Sequence, residues 1–110
     1  MRDDTERIKD IQEYIEKIEK YVVRGEKEFY ENELIQTWII HNLQIIGEAS
    51  RATSERFKAK YPQLDWQDMA DFRNLIVHEY FRVDLGVVWE IVENELPKLK
   101  QQINNILRDI

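Results

Sequence analysis

The segment LIQTWIIHNLQIIGEA, residues 34–49, decides the fold class of this sequence. Its apolar residues recur at steps of three and four, which is the spacing of an α-helix. They form two neighbouring stripes, one of Leu34, Trp38 and Ile45 and the other of Ile35, Ile39 and Ile46. A helix that is apolar on more than one face is central in its fold or shared with a partner chain.

The helix that contains this segment is expected to be long. It begins at about Glu31 and is expected to continue without a break to Lys60, since the next proline is Pro62. Its length would be roughly 45 Å at 1.5 Å per residue. The segment before it, Val23 to Tyr30, is expected to be a charged connection.

Amphipathic helices are also predicted on both sides of this long helix. The first has an N-cap at Asp3, Asp4 or Thr5 and ends near Gly25. Its apolar positions are Ile8, Ile11, Ile15, Ile18 and Val22. Asp65 can cap a third helix from Trp66 to about His78, and Asp84 can cap a fourth that runs to the end of the chain.

Pro97 lies inside the fourth helical pattern, where it should kink the helix or divide it in two. No segment alternates apolar and polar residues in the manner of a strand. The sequence therefore predicts one all-α domain, residues 1–110, folded as an antiparallel bundle of four or five helices.

The composition excludes several classes of function. Without cysteine the chain has no thiol nucleophile or disulfide, and with only two histidines a structural zinc site is not expected. Three glycines cannot supply a phosphate-binding loop or a dinucleotide fingerprint. The start, MRDDTERIKD, lacks the apolar run of a signal peptide and no stretch could span a bilayer, so a cytoplasmic protein is expected. A net charge of −6 disfavours broad binding to DNA.

The segment DFRNLIVHEY, residues 71–80, crowds Arg73, Asn74, His78 and Tyr80 at the end of the third helix. Histidine changes protonation near neutral pH, and arginine is a fixed cation that matches phosphate geometry, so the pair suits phosphodiester cleavage without a metal. Five residues separate them, about 140° around a helix, so a loosened helix end or a second chain must complete the site. Taken alone, such residues are more often a capping histidine, a surface ion pair and a packed tyrosine ring than a catalytic site.

A histidine and a basic cluster are two further groups of residues with side chains suited to a site. His41 falls in line with Leu34 and Trp38, which favours a buried or interface histidine with a structural role. A basic cluster, interleaved with Phe57 and Tyr61, is a candidate RNA contact, and a solvated helix end is its simpler interpretation. The cluster consists of Arg51, Arg56, Lys58 and Lys60.

The segment RNLIVHEY, residues 73–80, resembles the Arg-x4-His-x-Tyr signature of HEPN toxins that are paired with MNT nucleotidyltransferase antitoxins, the HepT-like group. The resemblance extends to LQIIGEA in the second helix, to Trp66–Tyr80, and to FRVDLGVVWEIVENELPKLK after them. It thus covers nearly the whole chain, and the motif itself shows no departure from the family pattern.

This resemblance implies an endoribonuclease toxin of a type VII toxin–antitoxin system that needs no metal or other cofactor. It implies a homodimer with Arg73 and His78 as catalytic residues at the dimer cleft and Asn74 orienting them. Tyr80 would position substrate and would be the residue that the antitoxin modifies with AMP. Two alternatives stay open: a catalytically silent HEPN module that partners a nucleotidyltransferase, and a purely structural helical dimer. RNA, a second copy of the chain and the antitoxin are the expected partners, with no membrane and no DNA.

Overall fold

The structure, a computed structural model, describes residues 3–72 and 83–110. Seven α-helices and one π-helical turn cover most of these residues, and they pack around a single apolar core. In chain order the helices are α1 (Asp4–Val22), α2 (Glu26–Glu31), α3 (Glu33–Ala52), α4 (Glu55–Lys60), α5 (Trp66–Ala70), α6 (Leu85–Glu90) and α7 (Leu96–Asp109). The all-α bundle expected from the periodicity is confirmed.

Helix α1 begins where the sequence predicts it. The Asp3 carboxylate accepts a hydrogen bond from the Glu6 backbone N–H at 2.8 Å, which satisfies one of the free donors of the first turn. The four isoleucines of its apolar stripe are fully buried. They pack mainly against α3, the central helix of the bundle.

The expected connection between the first two long helices is wrong, because it contains the short helix α2. Gly25 precedes α2 with a φ of +96°, a backbone conformation that few other residues adopt without strain. Phe29 of α2 is buried and lies against Trp89 of α6, with ring centroids 5.2 Å apart. The burial of Phe29 explains why this charged segment folds back onto the core.

The single helix expected from Glu31 to Lys60 is also wrong, because the chain breaks after α3. Thr53 is extended, with a ψ of 138°. Ser54 then caps α4 by accepting from the Phe57 N–H at 3.1 Å. The Asp4 carboxylate holds this break, since it accepts the Ser54 N–H at 2.9 Å and the Ser54 hydroxyl at 2.6 Å.

Helix α5 is short and well anchored at its start. The Asp65 carboxylate caps it by accepting from the Asp68 N–H at 3.0 Å, as predicted. The Trp66 side chain is buried and its indole N–H donates to the Tyr61 carbonyl at 3.0 Å. The continuous third helix expected from Trp66 to about His78 is wrong, because α5 ends at Ala70, and His78 itself lies outside the described residues.

The last helical pattern begins with the predicted Asp84 cap, which accepts from the Val87 N–H at 3.2 Å. It is divided as expected: α6 passes into a π-helical turn, Ile91–Glu95, and α7 starts at Leu96. Pro97 therefore stands in the first turn of α7, the part of a helix that best tolerates a residue without an N–H.

Polar contacts fix α7 against α1. Lys100 donates to both carboxylate oxygens of Glu19, at 2.9 and 3.2 Å, and Gln12 donates to Asn104 at 2.8 Å. Across the two described ranges, no helix has the length and apolar character that crossing a membrane requires.

Candidate functional site

The four motif residues Arg73, Asn74, His78 and Tyr80 lie outside the described residues, which stop at Phe72 and resume at Val83. Both flanks of the motif segment are described. Phe72 is buried in the core, and Val83 is partly buried against it. The described surroundings of the site are therefore the elements that hold these two flanks.

Helix α3 holds the incoming flank through two carbonyl groups at the end of α5. A Cβ atom added to Gly47 would stand 3.0 Å from the Met69 carbonyl oxygen, so the absence of a side chain allows this close approach. One turn further along the same helix, Arg51 Nη2 donates to the Ala70 carbonyl at 2.9 Å. Gly47 and Arg51 thus contact consecutive carbonyls at the last turn before the motif.

The outgoing flank leads directly into α6, which packs on α2. Trp89 is buried beside Phe29. Its indole N–H finds no acceptor among the described residues. Tyr30, 43% exposed, places its hydroxyl 3.8 Å from where a Gly86 Cβ would be. An aromatic cluster of Phe29, Tyr30 and Trp89 therefore joins α2 to α6, the helix that follows Val83.

The members of the basic cluster have different surroundings. Lys58 is mostly covered and its ammonium lies 3.4 Å from the Glu55 carboxylate. Arg51, Arg56 and Lys60 are exposed. Arg51 and Lys58 line a groove of about 370 Å³ together with Trp66. The structure therefore brings Arg51 and Lys58 together at the side of α5, while Arg56 and Lys60 do not line this groove.

His41 is not buried within the chain. It is exposed on the outer side of α3, so of the two alternatives, a buried or an interface histidine, burial within the chain is wrong. The stripe beside the buried isoleucines is exposed with it: Leu34 is 82% exposed and Trp38 is 38% exposed, although the Trp38 indole donates to the Lys17 carbonyl at 2.9 Å. Helix α3 therefore buries one of its two apolar stripes and leaves the other largely open.

Sequence reasoning missed an acidic hollow of about 350 Å³ between α5 and the π-helical turn. Three carboxylates line it, together with apolar side chains and one cation: Asp65, Asp68, Glu95 and Lys98. A hydrogen bond with Asp65 and the nearby carboxylates raise the pKa of Asp68 above its usual value. The three-residue spacing of Asp65 and Asp68 in the sequence is the feature that could have indicated this hollow. Within residues 3–72 and 83–110, no three His, Asp or Glu side chains are grouped as metal ligands.

Residues 11–106 match the family described as "Ribonuclease HepT-like". A protein of Thermococcus cleftensis named "Probable ribonuclease HepT" is 35% identical over 100 residues, which are 90% of this chain and 91% of that protein. A "Putative RNase" of Methanocaldococcus jannaschii is 33% identical over 102 residues, covering 92% of this chain and 84% of that protein.

A longer relative from the same archaeon, named "Gamma-glutamylcyclotransferase and putative RNase", is 37% identical over 101 residues. The match covers 91% of this chain but only 46% of that protein. No solved structure gives a significant match. An all-helical bundle with an Arg-x4-His segment between two anchored flanks defines a HEPN-like protein, and the chain belongs to the HepT-like ribonuclease family.

Proposed function

We propose that the chain is a metal-independent endoribonuclease. The observation that carries this proposal is the family match over residues 11–106, which spans Arg73 and His78. In the proposed reaction the ribose 2′-oxygen attacks the adjacent phosphorus and the bond to the 5′-oxygen breaks. The products are a 2′,3′-cyclic phosphate and a 5′-hydroxyl. His78 moves the proton, Arg73 stabilises the charge that develops on the phosphate oxygens, and Asn74 orients them.

Cleavage of RNA by the purified chain tests this proposal. Replacing His78 with alanine is expected to lower kcat at least about 10²-fold, the lower end of a general acid–base contribution. EDTA is expected to leave the rate unchanged, and mass spectrometry should identify the cyclic phosphate. Full activity of His78→Ala, or loss of activity with EDTA, would contradict the mechanism. A chain that binds a nucleotidyltransferase but leaves RNA intact would instead be a silent HEPN module.

We also propose that the active form is a two-fold homodimer. Its support is the open stripe of α3, because Leu34 and Trp38 expose apolar surface that a small monomer normally covers. The same helix contacts the last turn before the motif through Gly47 and Arg51. A second copy seated on this open stripe would make His41 an interface residue.

RNA is proposed to reach the site along α4. Arg56 and Lys60 are exposed cations on this helix, and Lys58 lines the groove beside α5. Such a local positive surface allows a chain of net charge −6 to meet a polyanion. Arg51, the fourth member of the basic cluster, lines the same groove.

We further propose that the chain is the toxin of a type VII toxin–antitoxin system. An MNT-type nucleotidyltransferase would regulate its ribonuclease activity. The Tyr80 phenol would attack the α-phosphorus of ATP and pyrophosphate would leave. Each added AMP brings a negative charge and an adenosine into the site, which repels and excludes RNA. Incubation with the partner enzyme and ATP should add roughly 329 Da per AMP at Tyr80, a covalent modification. Equal modification and silencing of Tyr80→Phe would place the switch at another residue.

A further inference from the structure

The guanidinium of Arg51 is hydrogen-bonded to the end of α5. Helix C-terminal carbonyls lack partners within their own helix, and a cation that donates to one of them also offsets the negative end of the helix dipole. Arg51 Nη2 makes such a bond with the carbonyl of Ala70, the last residue of α5, at 2.9 Å. The neighbouring Asp71 N–H donates to the Gln67 and Met69 carbonyls. Arg51 donates to the next carbonyl, that of Ala70.

Helix α5 needs this support because it is only five residues long. A helix of this length is not stable by itself, so tertiary contacts must fix its position. Its first turn is fixed by the Asp65 cap and by the Trp66 indole. Its last turn is fixed from α3, where Gly47 allows contact with Met69 and Arg51 holds Ala70.

We infer that Arg51 is a positioning residue for the reaction, acting through Ala70 rather than by contact with an RNA phosphate. This inference rests on the proposed ribonuclease function. Arg73 follows Ala70 by three residues in the sequence, so a displacement of Ala70 is passed to the start of the motif. A misplacement of about 1 Å can reduce catalysis roughly 10²-fold. Loss of the Arg51 bond should therefore reduce kcat and leave the binding of RNA largely intact.

The experiment compares steady-state RNA cleavage by Arg51→Gln, Lys60→Gln and Arg108→Gln at several salt concentrations. Each variant removes one cation, and Arg108 is an exposed residue of α7 that belongs to no proposed site. Arg51→Gln is expected to lower kcat at least about 10-fold, with KM within about two-fold and an unchanged salt dependence of KM. Arg51→Lys should recover part of the kcat, because its ammonium can still donate to the carbonyl.

Lys60→Gln provides the contrast expected of a phosphate contact: KM rises and the slope of log KM against log salt falls by about 0.7. Arg108→Gln should match the wild type. If Arg51→Gln behaves like Lys60→Gln, or keeps the wild-type kcat, the inference is overturned. An inactive wild-type chain would instead refute the proposed ribonuclease function.

Hydrogen exchange gives a readout that does not depend on RNA cleavage. The amide of Asp71 is protected by its bonds to Gln67 and Met69, and it should exchange faster in Arg51→Gln than in Arg108→Gln. Unchanged exchange would show that Arg51 does not hold the end of α5, whether or not the chain cuts RNA. If Arg51→Gln fails to fold, Arg51→Lys supports the same comparison of kcat, salt dependence and exchange.

Discussion

Asp4 joins the start of the first helix to the break between α3 and α4. Its carboxylate accepts the hydroxyl and the backbone N–H of Ser54. These two hydrogen bonds lower the pKa of Asp4 below its usual value of 3.8. A carboxyl whose pKa is lower in the folded state contributes stability above the unfolded pKa, and this contribution is lost as the pH falls through the folded pKa.

Replacing Asp4 with asparagine tests this link. At pH 7 the variant is expected to lose about 1 kcal/mol or less of unfolding free energy, since the partly exposed carboxylate is screened by water. The difference from wild type should shrink as the pH falls below about 4. Thermal melts between pH 3 and 7 measure it, with Glu13→Gln as an exposed carboxylate control on the same helix. A difference that stays constant over this range would contradict the assigned pKa shift.

The contrast between helix caps shows which residues the sequence could predict. Asp3, Asp65 and Asp84 each cap a helix within three residues, so a local pattern was sufficient. Ser54 also caps its helix three residues on, through the Phe57 N–H, so the same local signal was present for α4. The bonds that hold Ser54 to Asp4, 50 residues away, are what no local pattern contains.

At the scale of helices, the close approach of α3 and α5 depends on Gly47. Alanine there would gain roughly 1 kcal/mol of helix propensity, but its Cβ would press on the Met69 carbonyl at 3.0 Å. Overpacking against a backbone atom costs about 1–3 kcal/mol. Gly47→Ala is therefore expected to lower the free energy of unfolding by about 1 kcal/mol, as measured by urea denaturation.

Gly86→Ala is the matched control for this prediction. The nearest atom to its new Cβ would be a side-chain oxygen of Asp84 at 3.3 Å, and Gly86 is exposed in the first turn of α6. The substitution should be close to neutral, because the gain in helix propensity offsets a shift of a few tenths of an ångström in the Asp84 carboxylate that caps α6. Equal stability of Gly47→Ala and the wild type would contradict the assigned role of Gly47.

Periodicity predicted the long helices and their buried stripes because each stripe packs on the same core. It could not predict α2, since only Phe29 of that segment is buried. The division near Pro97 was predicted because proline lacks the N–H that a helix interior needs. The same rule could not predict that the division is a π-helical turn.

At the scale of the whole molecule, the open stripe of α3 makes a prediction about assembly. Leu34→Glu should leave a single chain folded, since Leu34 is already 82% exposed. In a two-fold dimer it would place two carboxylates in an apolar interface, and the dissociation constant is expected to rise at least about 100-fold. Light scattering over a range of concentrations measures this change.

Ile110→Glu is the control, because Ile110 is an exposed apolar residue outside α3. It should leave the assembly unchanged. Nuclease activity is expected to fall together with dimer content in Leu34→Glu, since the proposed site needs both chains. A wild-type chain that is monomeric at micromolar concentration and fully active would contradict the homodimer.

The sequence predicted which residues form the candidate site, but not the contacts that hold the chain beside it. Arg73, Asn74, His78 and Tyr80 were identified from sequence alone, and they lie outside the described residues. The contacts that hold the incoming flank join Gly47 and Arg51 to residues about 20 positions later. The pattern of charges made Arg51 a candidate RNA contact, with a solvated helix end as the simpler interpretation. Its bond to Ala70 could be found only by knowing how α3 and α5 cross.

The π-helical turn Ile91–Glu95 marks a place where the chain length of this fold can change. A π-helical bond closes over five residues instead of four, so the turn holds one residue more than an α-helix would need. Deleting an exposed residue there, such as Asn94, would leave Leu96 and Leu99 on the core side of the helix. A deletion within α7 would instead rotate every later residue by about 100° and turn Ile106 away from the core. Natural variation in the length of related chains is therefore expected at this turn and not in the helix that follows it.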